Sequence, residues 1–236
     1  MRSLDDDLVD QLLPVEEIKT ALVLDADRTL TQIDTGRAVG HALALNSEIR
    51  SIFELQGYSS GAFLATARAW GRIPEQHYMV EIERVAKECI LYPFWTSLLP
   101  RVAGFVQVVV VTSGIPQLWK RVLEIAGLPW ITVIGGCRFG TDSYFVCPEG
   151  KARLVRCLKQ RGVHVIAAGD SVIDLPMLLA ADKGFIVPDL KGSPRLFQSL
   201  DGLDHSLRHL AVDDRSFAIP RVESQEFLSD LMEQRC

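Results

Sequence analysis

The chain has 236 residues, 48% of them hydrophobic and 23% charged, which is ordinary globular composition for one sizeable domain or one core with a smaller insert. Its formal net charge of −5 leaves no electrostatic footprint for nucleic acid or an anionic membrane surface. No apolar run approaches the roughly 20 residues that span a bilayer, so neither nucleic acid nor membrane is expected as a partner. The first segment, MRSLDDDLVD, is acidic and lacks the apolar core of a signal peptide. Next, Ala21, Leu22, Val23 and Leu24 make a run too short for a helix and without polar alternation, which predicts a strand covered on both faces. It runs straight into Asp25 and Asp27. Carboxylates at such a rim repel each other unless a cation or a shared proton relieves them.

From Asp34 to Tyr92 the rhythm is helical: GRAVGHALALNSEIRSIFEL, GAFLATARAWG and PEQHYMVEIERVAKECIL each read as helix, with turn signals at 57–61 and 71–74. The interval is too long for a single crossover and predicts a helical insert placed over the two aspartates. Strand candidates then return at FVQVVVV (105–111), WITVIGG (130–136) and VHVIAAG (163–169), with GFIVPD (184–189) weaker. Between them, Leu118, Val122, Ile125 and Ala126 share a helical face before Gly127, and Leu154, Val155 and Leu158 share another before Gly162. The alternation predicts an α/β fold, a Rossmann-like parallel sheet with right-handed crossovers, carrying an inserted all-helical subdomain. The expected division is a core of 1–33 and 93–236 with a helical cap of 34–92. The stretch from Lys191 onward is mixed and yields no chemistry. Cys89, Cys137, Cys147, Cys157 and Cys236 are odd in number and lack CxxC spacing, so free thiols in a reducing, cytoplasmic compartment are expected.

In open parallel sheets, ligands bind beyond the carboxyl ends of the strands. Here those ends deliver Asp25 and Asp27, then Thr112 and Ser113, then Gly169, Asp170, Ser171 and Asp174. Helix capping accounts for a residue such as Ser171, but not for four carboxylates in one crevice. Such a group calls for a hard cation with oxygen ligands, most simply Mg²⁺. Lys151 leads the apolar face of its helix; it either snorkels to solvent or turns its ammonium toward the acidic crevice. A nucleophilic carboxylate, a second carboxylate, a hydroxyl, a lysine and an acidic metal site together describe phosphoryl transfer, where positioning and charge neutralisation do most of the catalysis.

These residues carry a resemblance. LVLDADRTLT resembles the DxDxT motif of haloacid dehalogenase-superfamily phosphatases, VVVVTSG their second motif, Lys151 their third and AAGDSVIDLPML their fourth. The helical insert between the first two motifs is similar to the type-1 cap of the phosphoserine-phosphatase-like branch. The resemblance implies a phosphoric monoester hydrolase in which Asp25 is the nucleophile and forms an aspartyl-phosphate. Asp27 would be the general acid and then the base. Mg²⁺ would be held by Asp25, the Asp27 carbonyl and Asp170, with Asp174 orienting Lys151 or a metal-bound water. Thr112 would bond the phosphoryl group, with Ser113 as the competing assignment, and Gly114 and Thr29 would line the substrate's phosphate. Lys151 would neutralise phosphoryl charge.

The sequence departs from the pattern at Arg28, a bulky cation inside the first motif, and at Ser171 and Ile173, where phosphoserine phosphatases carry Gly and Asn. Asp34 and Thr35 resemble that branch's glutamate and threonine, which contact the substrate's amino group. Asp34 reads equally as a helix N-cap, and Arg68 and Arg72 as either anion clamps or solvated surface charges. A small phosphorylated molecule is the expected partner. Alternatives on the same fold are a phosphotransferase, a prenyl or terpenyl diphosphate phosphatase whose cap pocket is lined by FLATARAW, and a non-catalytic phosphate-binding module.

Overall fold

The computed structural model describes residues 2–13, 19–136, 138–140, 144–188, 193–201, 203, 205–210, 212 and 221–232. In chain order the elements are β1 (Arg2–Ser3), α1 (Asp6–Leu12), β2 (Thr20–Leu24), α2 (Thr35–Ala42), α3 (Asn46–Gln56), α4 (Ser60–Gly71), α5 (Glu75–Glu88), α6 (Pro93–Val102), β3 (Gln107–Thr112), α7 (Pro116–Ile125), β4 (Thr132–Gly135), β5 (Tyr144–Phe145), α8 (Pro148–Gln160), β6 (His164–Gly169), α9 (Leu175–Ala180), β7 (Lys183–Ile186), α10 (Ser193–Leu200), β8 (Arg208–Leu210), β9 (Arg221–Val222) and α11 (Ser224–Met232). Seven strands form one parallel sheet in the order β4-β3-β2-β6-β7-β8-β9, and β1 pairs with β5 apart from it.

The expected α/β sheet is therefore present, with β2 an interior strand between β3 and β6. Every residue of β2 is buried, and its side chains divide by parity as a pleat requires. Leu22 and Leu24 join the cluster that includes Trp95 of α6 and Trp119 of α7, whereas Ala21 and Val23 join Val9 of α1 and Leu154 and Val155 of α8. Helices cover both faces, which is why the strand reads as an unbroken apolar run.

The helices between β2 and β3 differ from expectation in two places, one being α6, which the sequence reading did not foresee. The stretch predicted as one helix from Gly36 to Leu55 is two, α2 and α3, because Ala44 takes a φ of 55° and the Leu45 amide donates back to the Gly40 carbonyl at 2.8 Å. A Cβ at Gly40 would stand 2.4 Å from Asn46 Oδ1, the end of a side chain that donates to the Arg37 carbonyl at 3.0 Å. The two ends of the helical stretch are pinned together. Thr31 and Leu91 form an antiparallel bridge, and the Tyr92 amide donates to the Leu30 carbonyl at 2.8 Å. On its far side α5 packs along α7, where Arg121 forks onto both oxygens of Glu83 at 2.8 and 3.2 Å.

The stripe of α7 also differs. Pro116, Leu118, Trp119, Val122 and Leu123 are its buried residues, and Ile125 is 47% exposed. In α8 the expected face of Leu154, Val155 and Leu158 is fully buried, and Lys151 is buried with it. The segment after 191, unreadable in sequence, adds α10, β8, β9 and α11 to the sheet's edge, tied by Asp230, which accepts from Lys183 at 2.6 Å and Arg208 at 2.6 Å.

Candidate active site

The carboxyl ends of β2, β3 and β6 lie side by side in the sheet, and the predicted residues meet there. The Asp25 amide donates to the Ala168 carbonyl at 2.9 Å, prolonging the β2–β6 ladder by one step. This fixes the Asp25 side chain at the rim. Its Oδ2 accepts from Thr29 Oγ1 at 3.1 Å, and its Oδ1 accepts from the Lys151 ammonium. Lys151 also donates to Asp174 Oδ1 at 2.7 Å. Its side chain is 1% exposed, so it does not snorkel.

Asp174 accepts at its other oxygen from the Ser171 amide at 3.0 Å and the Ser171 hydroxyl at 2.7 Å. Ser171 thus donates to the carboxylate rather than capping a helix. Gly169 permits this closeness, because a Cβ there would meet Asp174 Cβ at 2.5 Å. Asp25, Asp170 and Asp174 each place a carboxylate oxygen within 4.8 Å of the others, and all three residues are buried. The Asp27 carboxylate stands outside that group. Its Oδ1 accepts from the amide and hydroxyl of Thr35, at 2.6 and 2.5 Å, in the first turn of α2.

Thr112 and Ser113 end β3 differently. Thr112 Oγ1 accepts from the Gly114 amide at 2.9 Å, while the Ser113 hydroxyl is buried with no hydrogen-bond partner. Gly114 sits against the acid: a Cβ would lie 3.2 Å from Asp27 Oδ2. Asp34 caps α2, its Oδ1 accepting from the Arg37 amide at 2.8 Å, and its Oδ2 pairs with Arg28 Nη1 at 3.2 Å. Both oxygens of Asp34 are therefore engaged.

Two participants take roles that the sequence reading did not assign them. Arg28 adopts a φ of 63° and sends Nε to Asp170 Oδ2 at 2.9 Å while Nη1 reaches Asp34. Its signal was visible only as a departure from the motif. Thr35, flagged as part of a substrate pair, instead holds the general-acid candidate. Arg68 and Arg72 make their contacts away from the crevice carboxylates. Arg72 pairs with the exposed Glu48, and Arg68 lies 5.9 Å from the Phe139 ring. Phe63 packs edge-on to Phe53, and Trp70 edge-on to Tyr78, so the aromatic residues of FLATARAW are consumed in packing.

The electrostatics follow from crowding. Burial, then the neighbouring Asp174, push the Asp25 carboxyl above its ordinary value against the pull of Lys151. Burial, then Asp25 and Asp174, push Asp170 well up, opposed by Arg28. Asp27 is pushed up to about 7 by burial and by Asp34, with Thr35 opposing. Burial alone would lower Lys151, but Asp174 and Asp25 outweigh it and hold the ammonium charged. Five carboxylates, those of Asp25, Asp27, Asp34, Asp170 and Asp174, face two cations, Lys151 and Arg28. The deficit of positive charge and the all-oxygen donor set of Asp25, Asp170 and Asp174 fit a hard divalent cation.

Among the described residues no helix is long and apolar enough to cross a membrane. Cys89, Cys147 and Cys157 are free thiols; Cys137 and Cys236 lie outside the described residues.

No curated protein matches the chain. Solved structures do. A phospho-aspartyl intermediate analogue of phosphoserine phosphatase matches with a TM-score of 0.58 at 14% identity, covering 81% of this chain and 93% of that one. A HAD family hydrolase from Salmonella enterica subsp. enterica serovar Typhi matches with a TM-score of 0.56 at 17% identity over 77% of this chain; the chain spans 65% of that structure's length. Cytosolic 5′-nucleotidase IIIB bound to cytidine matches with a TM-score of 0.55 at 14% identity, covering 92% and 86%. At these identities the likeness is one of fold. The family model for haloacid dehalogenase-like hydrolase matches residues 22–179, a span that opens within β2 and holds Asp25, Asp27, Asp34, Asp170 and Asp174. The chain belongs to the haloacid dehalogenase-like hydrolase family.

Proposed function

We propose that the protein is a Mg²⁺-dependent phosphatase that hydrolyses a small-molecule phosphomonoester through an aspartyl-phosphate on Asp25. One observation carries the reading: Asp25 sits at the sheet rim between Lys151 and Thr29, with carboxylate oxygens of Asp170 and Asp174 within 4.8 Å. Asp25, Asp170 and the Asp27 carbonyl would hold the cation, with Asp174 beside them. When bound, Mg²⁺ supplies charge neutralisation and orientation of the phosphoryl group.

The chain's own residues do the rest. An Asp25 oxygen attacks phosphorus, the new O–P bond forming as the ester O–P bond breaks. Asp27, its carboxyl raised to about 7, passes its proton to the leaving oxygen. The same carboxylate then takes a proton from water as that water attacks the phosphorus of the aspartyl-phosphate, releasing phosphate and restoring Asp25. Lys151 balances the charge carried by the phosphoryl oxygens. The unpartnered Ser113 hydroxyl and the Thr112 hydroxyl are the donors available at the end of β3. Residues 34–92 form the cap in this reading, entered and left through the Thr31–Leu91 neck. The substrate is a small phosphorylated metabolite and the compartment cytoplasmic.

The test is Asp25→Asn, which keeps the shape but cannot form the acyl-phosphate. Turnover of aryl and alkyl phosphates should fall to background with far-UV circular dichroism unchanged. Wild-type protein with Mg²⁺ should bind beryllofluoride, and Asp25→Asn should not. Retained turnover in Asp25→Asn would remove Asp25 as the nucleophile.

A further inference from the structure

Arg28 lies between two parts of the molecule that have different jobs. Its Nε donates to Asp170 Oδ2 at 2.9 Å, and its Nη1 donates to Asp34 Oδ2 at 3.2 Å. Asp170 is 1% exposed and belongs to the buried carboxylate group, whereas Asp34 is 37% exposed and caps α2 through its other oxygen. The backbone of Arg28 is held at a φ of 63°, a conformation that an arginine rarely adopts, so the guanidinium is aimed by its loop. The same cation is also felt by Asp25. A neutral donor at Asp170 would merely orient it. A full charge in the basin of Asp25 and Asp170 repels any divalent ion that enters, because screening is weak in a buried crevice.

Resting on the cation site of the preceding section, we propose that Arg28 is a positioning residue that competes with the divalent cation for Asp170 and shifts its charge to Asp34 as the cation binds. Without the cation, Arg28 satisfies the buried Asp170 carboxylate. With it, Asp34 is the acceptor already in contact that keeps the displaced guanidinium paired. Because Asp34 caps α2 and the next residue, Thr35, holds Asp27, occupancy of the site is linked to the first turn of α2 and to the acid.

Calorimetric titration of the full-length, metal-free protein with MgCl₂ tests this without reference to turnover. Arg28→Met should bind Mg²⁺ about 10-fold or more tightly than wild type, since one opposing charge is gone. Arg28→Lys, which keeps the charge, should fall between them. Arg50→Met, which removes an exposed arginine paired with Glu54 in α3, should leave the affinity unchanged. Asp34→Asn still caps α2 but is a poorer refuge for the guanidinium. It should weaken Mg²⁺ binding several-fold with Arg28 present and by less than about 2-fold in the Arg28→Met background. An equal effect of Asp34→Asn in both backgrounds would mean simple long-range charge, and would overturn the handover. Unchanged affinity in Arg28→Met overturns the competition, as does a 10–100-fold loss, the size expected when an orienting partner of a metal ligand is removed. If wild type and all variants fail to bind Mg²⁺, the cation site itself is wrong and the proposal falls with it; binding by wild type with no effect of Arg28 refutes the proposal alone.

Discussion

Lys151→Met is the sharpest test of the site's electrostatics, because its effect on stability has a sign and a pH dependence. Methionine fills the volume of the lysine stem within the buried face of α8, so packing is largely conserved. The ammonium is lost from between Asp25 and Asp174. At the 2.7 Å separation from Asp174 Oδ1, the gross attraction is about 6 kcal/mol for an effective dielectric of 20. Desolvation of three charged groups offsets part of it, and removing one partner of a buried pair leaves a net cost of about 3–5 kcal/mol. That is a large share of the roughly 5–15 kcal/mol by which domains are stable. Asp25 already has a raised carboxyl pKa in the fold, with Lys151 the main force holding it down; the variant raises it further. A carboxyl whose folded pKa exceeds its unfolded value favours the native state below the unfolded value, here near 3.8. It works against the native state as pH rises through the folded pKa. The deficit of Lys151→Met relative to wild type should therefore be largest near pH 8 and shrink toward pH 5. Urea unfolding of both proteins in EDTA at the two pH values measures it. Added Mg²⁺ should recover part of the loss by binding only the native state. A deficit under about 1 kcal/mol at pH 8, or one that does not diminish on acidification, would refute the reasoning.

Asp27→Asn should lower kcat on alkyl phosphates by about 10²- to 10⁴-fold and hurt good aryl leaving groups less; an equal loss on both would assign Asp27 a structural role. In wild type, with Asp27 at about 7, kcat on alkyl phosphates should decline as pH rises through that value, since the acid form is the one that donates. Gly169→Ala places a Cβ 2.5 Å from Asp174 Cβ and should cost about 1–3 kcal/mol by overpacking, read as a lowered urea midpoint together with a loss of activity. Asp34→Ser keeps the cap and should keep thermal stability within about 0.5 kcal/mol, while changing KM or kcat for the natural substrate if Asp34 bears on the site; unchanged kinetics on every phosphate tested would take it out.

The central strands were legible because they are buried on both faces. Val108 and Val110 face one cluster and Val109 and Val111 the other, so β3 had no polar alternation to hide it. Two- and three-residue strands such as β1, β5, β8 and β9 offer no period to detect. α6 escaped notice because it opens on Pro93 and carries Pro100 in its last turn, and proline reads as a break rather than as a helix start. The junction of α2 and α3 has no glycine or proline at the turning residue. Ala44 takes the positive φ itself, so the junction carries no turn residue that a sequence reading could detect.

The site was legible where chemistry forces a residue onto a strand end. Asp25 and Asp170 directly follow β2 and β6, and Thr112 is the last residue of β3; strand ends are the part of an open sheet where position in sequence and position in space agree. What the sequence could not show is how the carboxylates share their counter-charges. Asp34 illustrates the point. Read alone, it is either a cap or a ligand for a substrate's amino group; in the fold one oxygen caps α2 and the other holds Arg28. An ammonium could reach that carboxylate only by sharing it with Arg28 or by displacing it. Arg68 and Arg72 are spent elsewhere. Among the described residues, the guanidinium in contact with both Asp34 and the buried Asp170 is that of Arg28, inside the first motif.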